Sequence, residues 1–216
     1  MSEIKLTADS GGGTVSLKGP ATTTGNADVP FVLPVADGGA GEFLKTDGSK
    51  NLSFGTVSAG LTVADQWRQT ADWASSRSSP ISANWEQIDT TAQGTIGTAM
   101  SESSGIFTFP STGIYLVHFF AAYHVAGNTE VRYADMKIEA TVNNSSYSQI
   151  AKVTQGQGHG GTGNNYVGNT AHSLVDVTST SDVKVRFAVS AQASVTWLGN
   201  SGRNDTYATF LRLGDT

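Results

Sequence analysis

The sequence predicts an all-β protein: about eight to ten antiparallel strands in a two-sheet sandwich or jelly roll, preceded by an extended, strand-rich N-terminal arm. Three observations carry this expectation. The first is the run Gly105 to Val125, GIFTFPSTGIYLVHFFAAYHV, which reads as two long strands joined at Pro110 and Gly113. The second is strict alternation of apolar and polar residues further on. The third is a series of glycine-rich breaks over the first 60 residues. In the apolar run, bulky side chains stand at 106, 107, 109, 114, 115, 116, 117, 119, 120, 123 and 125, too densely for a strand with one wet face. A second sheet is expected to cover one face, and a further layer or a neighbouring subunit the other.

In chain order, residues 1–60 form the first part. Short apolar clusters (Ile4/Leu6, Val15/Leu17, Phe31-Val32-Leu33, Phe43-Leu44, Leu52/Phe54) each read as a short strand. They are separated by Gly11-Gly12-Gly13, Gly19-Pro20, Gly25-Asn26, Asp37-Gly38-Gly39 and Asp47-Gly48, residues that supply or fix turn dihedrals. So few apolar groups fall well short of offsetting the cost of ordering the backbone. The arm is therefore expected to order against another surface, with Ile4, Leu6, Val15, Leu17, Phe31, Leu33, Phe43 and Leu44 as its attachment residues.

From Leu61 to Thr98 the pattern is ambiguous. Val63, Trp67, Thr70 and Trp73 fall near one face at helical spacing, yet β or irregular structure fits as well. Pro80 ends whatever precedes it, Ala83 to Ile88 reads as a strand carrying Trp85, and Gly94 to Gly97 as a turn with a short strand. Beyond Gly105, strands are expected at 105–110, 113–125, 131–143, 146–154, 165–178, 182–190, 193–198 and 206–213. In ADMKIEATV, Met136, Ile138, Ala140 and Val142 alternate with Asp135, Lys137, Glu139 and Thr141; in DVKVRFAV, Val183, Val185, Phe187 and Val189 face inward and Lys184 and Arg186 outward. These read as half-wet outer strands.

Composition excludes several function classes. Thirteen Lys and Arg against 18 Asp and Glu give a formal charge of −5, which argues against nucleic acid and against anionic lipid as partners. Cysteine is absent, so disulfides and thiolate metal sites are not available. No leader pattern or run of about 18 apolar residues occurs, so the chain is expected to be made in the cytosol and to stay soluble.

The residues Gly105, Phe107, Pro110, Gly113, Tyr115 and Phe119 stand at the spacing of the G-x-F-x-x-P-x-x-G-x-Y-x-x-x-F pattern, which resembles the central strand pair of the C1q/TNF-like jelly-roll superfamily. Trp85 to Gly97, Ser179 to Val185 and Thr206 to Leu213 resemble that family's flanking and closing strands, so the resemblance covers roughly residues 80–216. It implies a homotrimer, with candidate interface residues Ile114, Leu116, Phe119, Phe120, Tyr207 and Phe210. The arm is similar to something else. Leu33 to Phe54, LPVADGGAGEFLKTDGSKNLSF, and Ser10 to Pro20 resemble segments of tail-fibre and other virion proteins of tailed bacteriophages. That resemblance implies a virion-surface protein synthesised in the host cytoplasm: residues 1–60 attach to the major capsid protein or another virion protein, and residues 61–216 form the domain that projects outward, as a capsid decoration or a short head fibre. The alternative it implies is a tail-fibre tip module that binds host surface glycans.

Chemistry beyond binding finds little support in the sequence. Gly156-x-Gly158-x-x-Gly161 has dinucleotide spacing but no βαβ context. No nucleophile elbow, paired carboxylates or zinc-protease motif occurs, so neither catalysis nor a cofactor is expected. His118 reads as a hydrogen-bonded structural histidine and His124 as a strand-end residue. His159 lies in an exposed glycine-rich loop, where a three-histidine metal site about a trimer axis is the less favoured reading. Asp89, Glu102, Glu130 and Asp135 lack calcium-loop spacing and read as solvated surface charge. Tyr123, Tyr133, Tyr147, Tyr166 and Trp197 read first as packing residues and second as sugar-stacking planes. The loops at 127–129, 155–165 and 199–205 would carry any receptor specificity, with His159, Tyr166, Trp197 and Asn200 as candidates.

Overall fold

A computed structural model describes residues 3–7, 11, 14–18, 20, 22–30, 32–49, 51–56, 60–75 and 79–216. The chain divides into two compact units, Met1–Ala59 and Gly60–Thr216. In the first, β1 (Glu3–Thr7) pairs antiparallel with β2 (Thr14–Lys18), placing Ile4 opposite Leu17 and Leu6 opposite Val15. Further on, β3 (Phe43–Thr46) and β4 (Leu52–Gly55) form a second hairpin. Its turn is organised by Asp47, whose carboxylate accepts the Asn51 side-chain amide at 2.7 Å and the Ser49 N–H at 2.7 Å. These bonds hold the Asp47 carboxyl below its ordinary value, the Asn51 amide contributing most. Val32 bridges to Asn51. Phe31 lies outside the described residues, as do the side chains of β1 and β2. Among the described residues of this unit none is buried, and Leu33, Phe43 and Leu44 are more than half exposed.

The second unit is a sandwich of a six-stranded and a seven-stranded sheet. In chain order its strands are β5 (Ala64–Gln69), β6 (Trp73–Ser75), β7 (Ser79–Pro80), β8 (Trp85–Gln87), β9 (Ser101–Ser103), β10 (Ile106–Thr108), β11 (Gly113–Ala126), β12 (Val131–Thr141), β13 (Ser148–Gln157), β14 (Asn164–Val177), β15 (Lys184–Ala191), β16 (Val195–Trp197) and β17 (Tyr207–Gly214). One sheet runs β13-β12-β15-β10-β9, with β7 on β15. The other runs β6-β16-β11-β17-β5-β8, with β14 along the whole free side of β11. All strand pairings are antiparallel.

The two sheets meet through aromatic rings. Phe119 of β11 stacks on Phe187 of β15 with centroids 4.7 Å apart, and Phe107 of β10 lies 5.2 Å from Phe210 of β17. Phe107 also receives the edges of Trp85 and Trp67 at 5.1 and 5.7 Å, which makes it the hub of the core. The spacing seen in the sequence has a reason at each position. Gly105 takes φ +81°, and a Cβ there would overlap the Ile81 carbonyl oxygen and stand 2.8 Å from Ser82 Cα. Gly113 takes φ +139° where β11 passes Gly214, whose oxygen would be 2.5 Å from a Cβ. Between them, the Tyr115 hydroxyl donates to the Ser111 carbonyl at 3.0 Å and ties down the corner that Pro110 begins. Gly105→Ala is expected to lower stability by about 2–3 kcal/mol, read as a shift in denaturant midpoint at unchanged slope.

One open segment is settled and three expectations need correction. The segment left open between helix and strand is β5 and β6, because alternate residues Asp65, Trp67 and Gln69 turn to one side of the sheet and are held by the core. The first strand of the Gly105–Val125 pair is short, since Pro110 removes a donor and the chain turns at the corner. The alternation of β12 holds only as far as Ala140. A register shift after Ile138 precedes the reversal, Thr141 is buried, and Val142 is exposed. Nor is the outer side of this sheet simply solvated. Asp135 is only 9% exposed, accepts the Thr154 hydroxyl at 2.7 Å and the Ser190 hydroxyl at 3.2 Å, and lies 3.6 Å from the Lys137 ammonium and 3.8 Å from that of Lys152. Lys184 is buried too, donating to Thr180 O at 2.7 Å and Thr108 Oγ1 at 3.0 Å.

Candidate subunit interface

The outer face of the seven-stranded sheet is built by even-numbered residues of β11 and their partners. Directly opposed residues in antiparallel strands share a face, so the register defines rows across the sheet. One row reads Leu174, Leu116, Leu211 and Ala64 from β14 through β11 and β17 to β5. The next reads His172, His118, Thr209 and Gln66, and the third Thr170, Phe120, Tyr207 and Arg68. Below the first row Ile114 faces Asp176, the one carboxylate in these rows. Leu174 and Leu213 remain 63% and 52% exposed, while Ile114, Leu116, Phe120, Tyr207 and Leu211 are half-buried. Large apolar groups thus form a contiguous, nearly uncharged surface of the kind that marks a contact site.

The middle and one end of the third row are closed by the chain itself. Phe120 and Tyr207 pack with ring centroids 5.5 Å apart. The Arg68 guanidinium is fully buried: Nε lies 3.1 Å from Glu86 Oε2, Nη1 donates to Thr90 Oγ1 at 2.7 Å, and Nη2 pairs with Asp89. In the middle row Gln66 Nε2 donates to Thr209 Oγ1 at 2.7 Å, and Asn204 Nδ2 to Gln66 Oε1 at 2.6 Å. The imidazoles of His118 and His172 make no hydrogen bond among the described residues, contrary to the expectation of a hydrogen-bonded structural His118. Burial, and secondly the charge of His172 beside it, hold the His118 imidazole below its ordinary value of 6.5.

Of the six interface candidates, Ile114, Leu116, Phe120 and Tyr207 lie on this face. Phe119 and Phe210 do not: both are wholly inaccessible inside the sandwich, with Phe119 stacked on Phe187, so they are core residues. His172, Leu174 and Leu211 were missed because apolar residues of both parities adjoin in β14 (Leu174, Val175) and β17 (Phe210, Leu211), so the pattern does not say which of them turns outward. The receptor candidates separate in the same way. Trp197 is fully buried between Trp73 and Tyr123, at 6.2 and 5.2 Å, and presents no ring to a ligand. Tyr166 is 65% exposed beside His124. His159 is exposed in the 158–163 loop, whose glycines interlock with Gly127: Gly160 donates to Gly127 O at 2.9 Å and Gly127 to Gly163 O at 2.5 Å. Of the Gly156-x-Gly158-x-x-Gly161 spacing, Gly161 takes φ +90° and a Cβ on Gly156 would stand 2.7 Å from Arg132 O, while Gly158 has open space around it. Asn200 is tied elsewhere, its N–H donating to Gln69 O at 2.7 Å.

The acidic residues weighed for calcium do not converge. Asp89 pairs with Arg68, Glu102 accepts the Gly105 N–H at 2.5 Å, and Asp135 sits in its own network. Among the described residues no group of three His, Asp or Glu is placed to hold a metal ion.

No family model matches the chain, and no curated protein matches its sequence. Solved structures do match its fold. The Eiger TNF of S. frugiperda superposes with a TM-score of 0.53 at 14% identity, covering 73% of this chain and 96% of its own. Murine APRIL at pH 5.0 gives 0.51 at 8% identity, covering 70% and 98%. The sandwich of residues 60–216 is a TNF-like jelly roll.

Proposed function

We propose that the protein is a homotrimeric structural protein of a tailed-bacteriophage virion, a capsid decoration or short head fibre. The jelly roll faces outward, and the first unit attaches to the major capsid protein or a neighbouring virion protein. The observation that carries this reading is the pairing of two unsatisfied apolar surfaces in one chain. The first unit has no buried residue among those described yet exposes Leu33, Phe43 and Leu44, while the jelly roll presents the face of Leu116, Phe120, Leu174 and Leu211. A face almost without charge fits a partner equally free of charge, and a second and third copy supply one. A stable contact of this kind buries roughly 1,600 Å². The resemblance read from the sequence of residues 33–54 supports a virion protein as the partner of the arm.

A chain beginning at Leu61 is expected to fold and trimerise, because the entire aromatic core lies beyond that point, and to lose binding to particles that lack the protein. Normal uptake of the shortened chain by such particles would overturn the role of the arm. Exposed Tyr166, beside His124 and near the 158–163 loop, favours a second reading, a fibre-tip module for host glycans. Binding of the shortened chain to host surface polysaccharide would favour that reading.

A further inference from the structure

We infer that association of copies through the outer face of β14, β11, β17 and β5 is gated by protons, with His118 and His172 as the gate. The inference rests on the self-assembly proposed above. The two imidazoles are directly opposed on neighbouring strands, at the centre of the face, between a row of leucines and the Phe120–Tyr207 pair. The His118 ring lies 5.8 Å from that of Tyr207 and has no anionic partner. When another apolar face covers this one, the imidazoles can be accommodated neutral, as donor and acceptor in a row that already contains Thr209 and Gln66. Protonated, they become two like charges side by side under an apolar cover, and a threefold assembly brings six of them into its contacts.

The groups that face this pair offer little compensation. On β14, Asp176 stands two rows away opposite Ile114, and Tyr166 lies toward the other end with His124 of β11. On β17 the neighbours are Thr209, Tyr207 and Leu211. On β5 they are Gln66 and Arg68, and the guanidinium already engages Glu86 and Asp89. The nearest free carboxylate is therefore too far along the sheet to pair with an imidazolium.

The sign follows from the direction of the His118 shift. Burial already lowers its proton affinity from the ordinary 6.5, and covering the face removes more water. That lowered value belongs to the separated chain, and the cover lowers it further, so below it the separated chains hold more protons than the assembly; association is full at 6.5 and above and weakens as the pH falls through the separated chain's value. Each unit by which the assembly holds an imidazole down is a tenfold factor in affinity.

The test is sedimentation of the full chain at about pH 8 and about pH 5, with near-ultraviolet circular dichroism to follow the fold. A homotrimer at the higher pH that dissociates more than about tenfold more readily at the lower, with the sandwich intact, is the expected result. The double variants His118→Phe/His172→Leu and His118→Gln/His172→Gln, on an outer face that tolerates either pair, should then stay associated at both. Wild-type association unchanged at the lower pH overturns the gate and leaves the assembly standing. Dissociation of the variants alongside the wild type overturns it too, because other groups would then be responsible. A monomer at about pH 8 overturns the assembly on which the gate depends.

Discussion

Phe119→Asp is expected to unfold the jelly roll, while Phe120→Asp, one residue along the same strand, should leave it folded and break up the assembly. The Phe119 ring is wholly enclosed and stacks on Phe187 between the sheets. Truncating such a ring costs about 3–5 kcal/mol, and burying an unpaired carboxylate adds several more. A domain of this kind holds roughly 5–15 kcal/mol in total, so little or none would remain. Phe120 points to the opposite side, half-buried against Tyr207, where a carboxylate keeps its water in the single chain. Its effect on stability should stay near about 1 kcal/mol. In an assembly, three carboxylates would have to be desolvated together, and association should be lost. Thermal unfolding followed by circular dichroism and sedimentation velocity separate the two outcomes. A Phe120→Asp chain that still forms the homotrimer would move the interface off this face.

Arg68→Met is expected to cost about 2–4 kcal/mol, although it removes no part of the aromatic core. The guanidinium is completely buried and holds Glu86, Asp89, Thr90 and Gln93. It thereby pins the stretch after β8 across the end of the sheet. The loss should stay at the lower end of the range for a broken buried pair, because Glu86 is 31% and Asp89 71% exposed at the side chain and both can rehydrate. The damage should be local as well as global. The Gln93 amide, bonded to Thr90 O at 3.0 Å, should exchange its hydrogen much faster in the variant, with β11 and β15 amides slowed or quickened only in proportion to overall stability. Uniform acceleration across all strands would show that Arg68 acts on the whole sandwich instead.

Much of this architecture was legible in the residues alone. The strands beyond Gly105 were readable because each apolar run is bounded by residues with special backbone demands. The corner at Pro110 to Gly113 was readable because Gly105 and Gly113 occupy dihedrals and close approaches that a Cβ would forbid. The candidate contact face was only half legible. From 114 to 120 both parities of β11 carry apolar side chains, so nothing in the pattern says whether Phe119 or Phe120 turns inward. Burial of Trp197, a residue that looked available for sugar, depended on Trp73 being brought from more than a hundred positions earlier in the chain to stack on it.

The sequence by itself determined where the strands beyond Gly105 lie along the chain, the corner and the turn glycines, since these follow from local dihedral limits and the two-residue period of a strand. Only the tertiary structure decided which side of β11 is core and which is surface. Sidedness depends on which strands lie across the sandwich, and it took the pairing of β11 with β14 to place His172 opposite His118 and so define the candidate contact face.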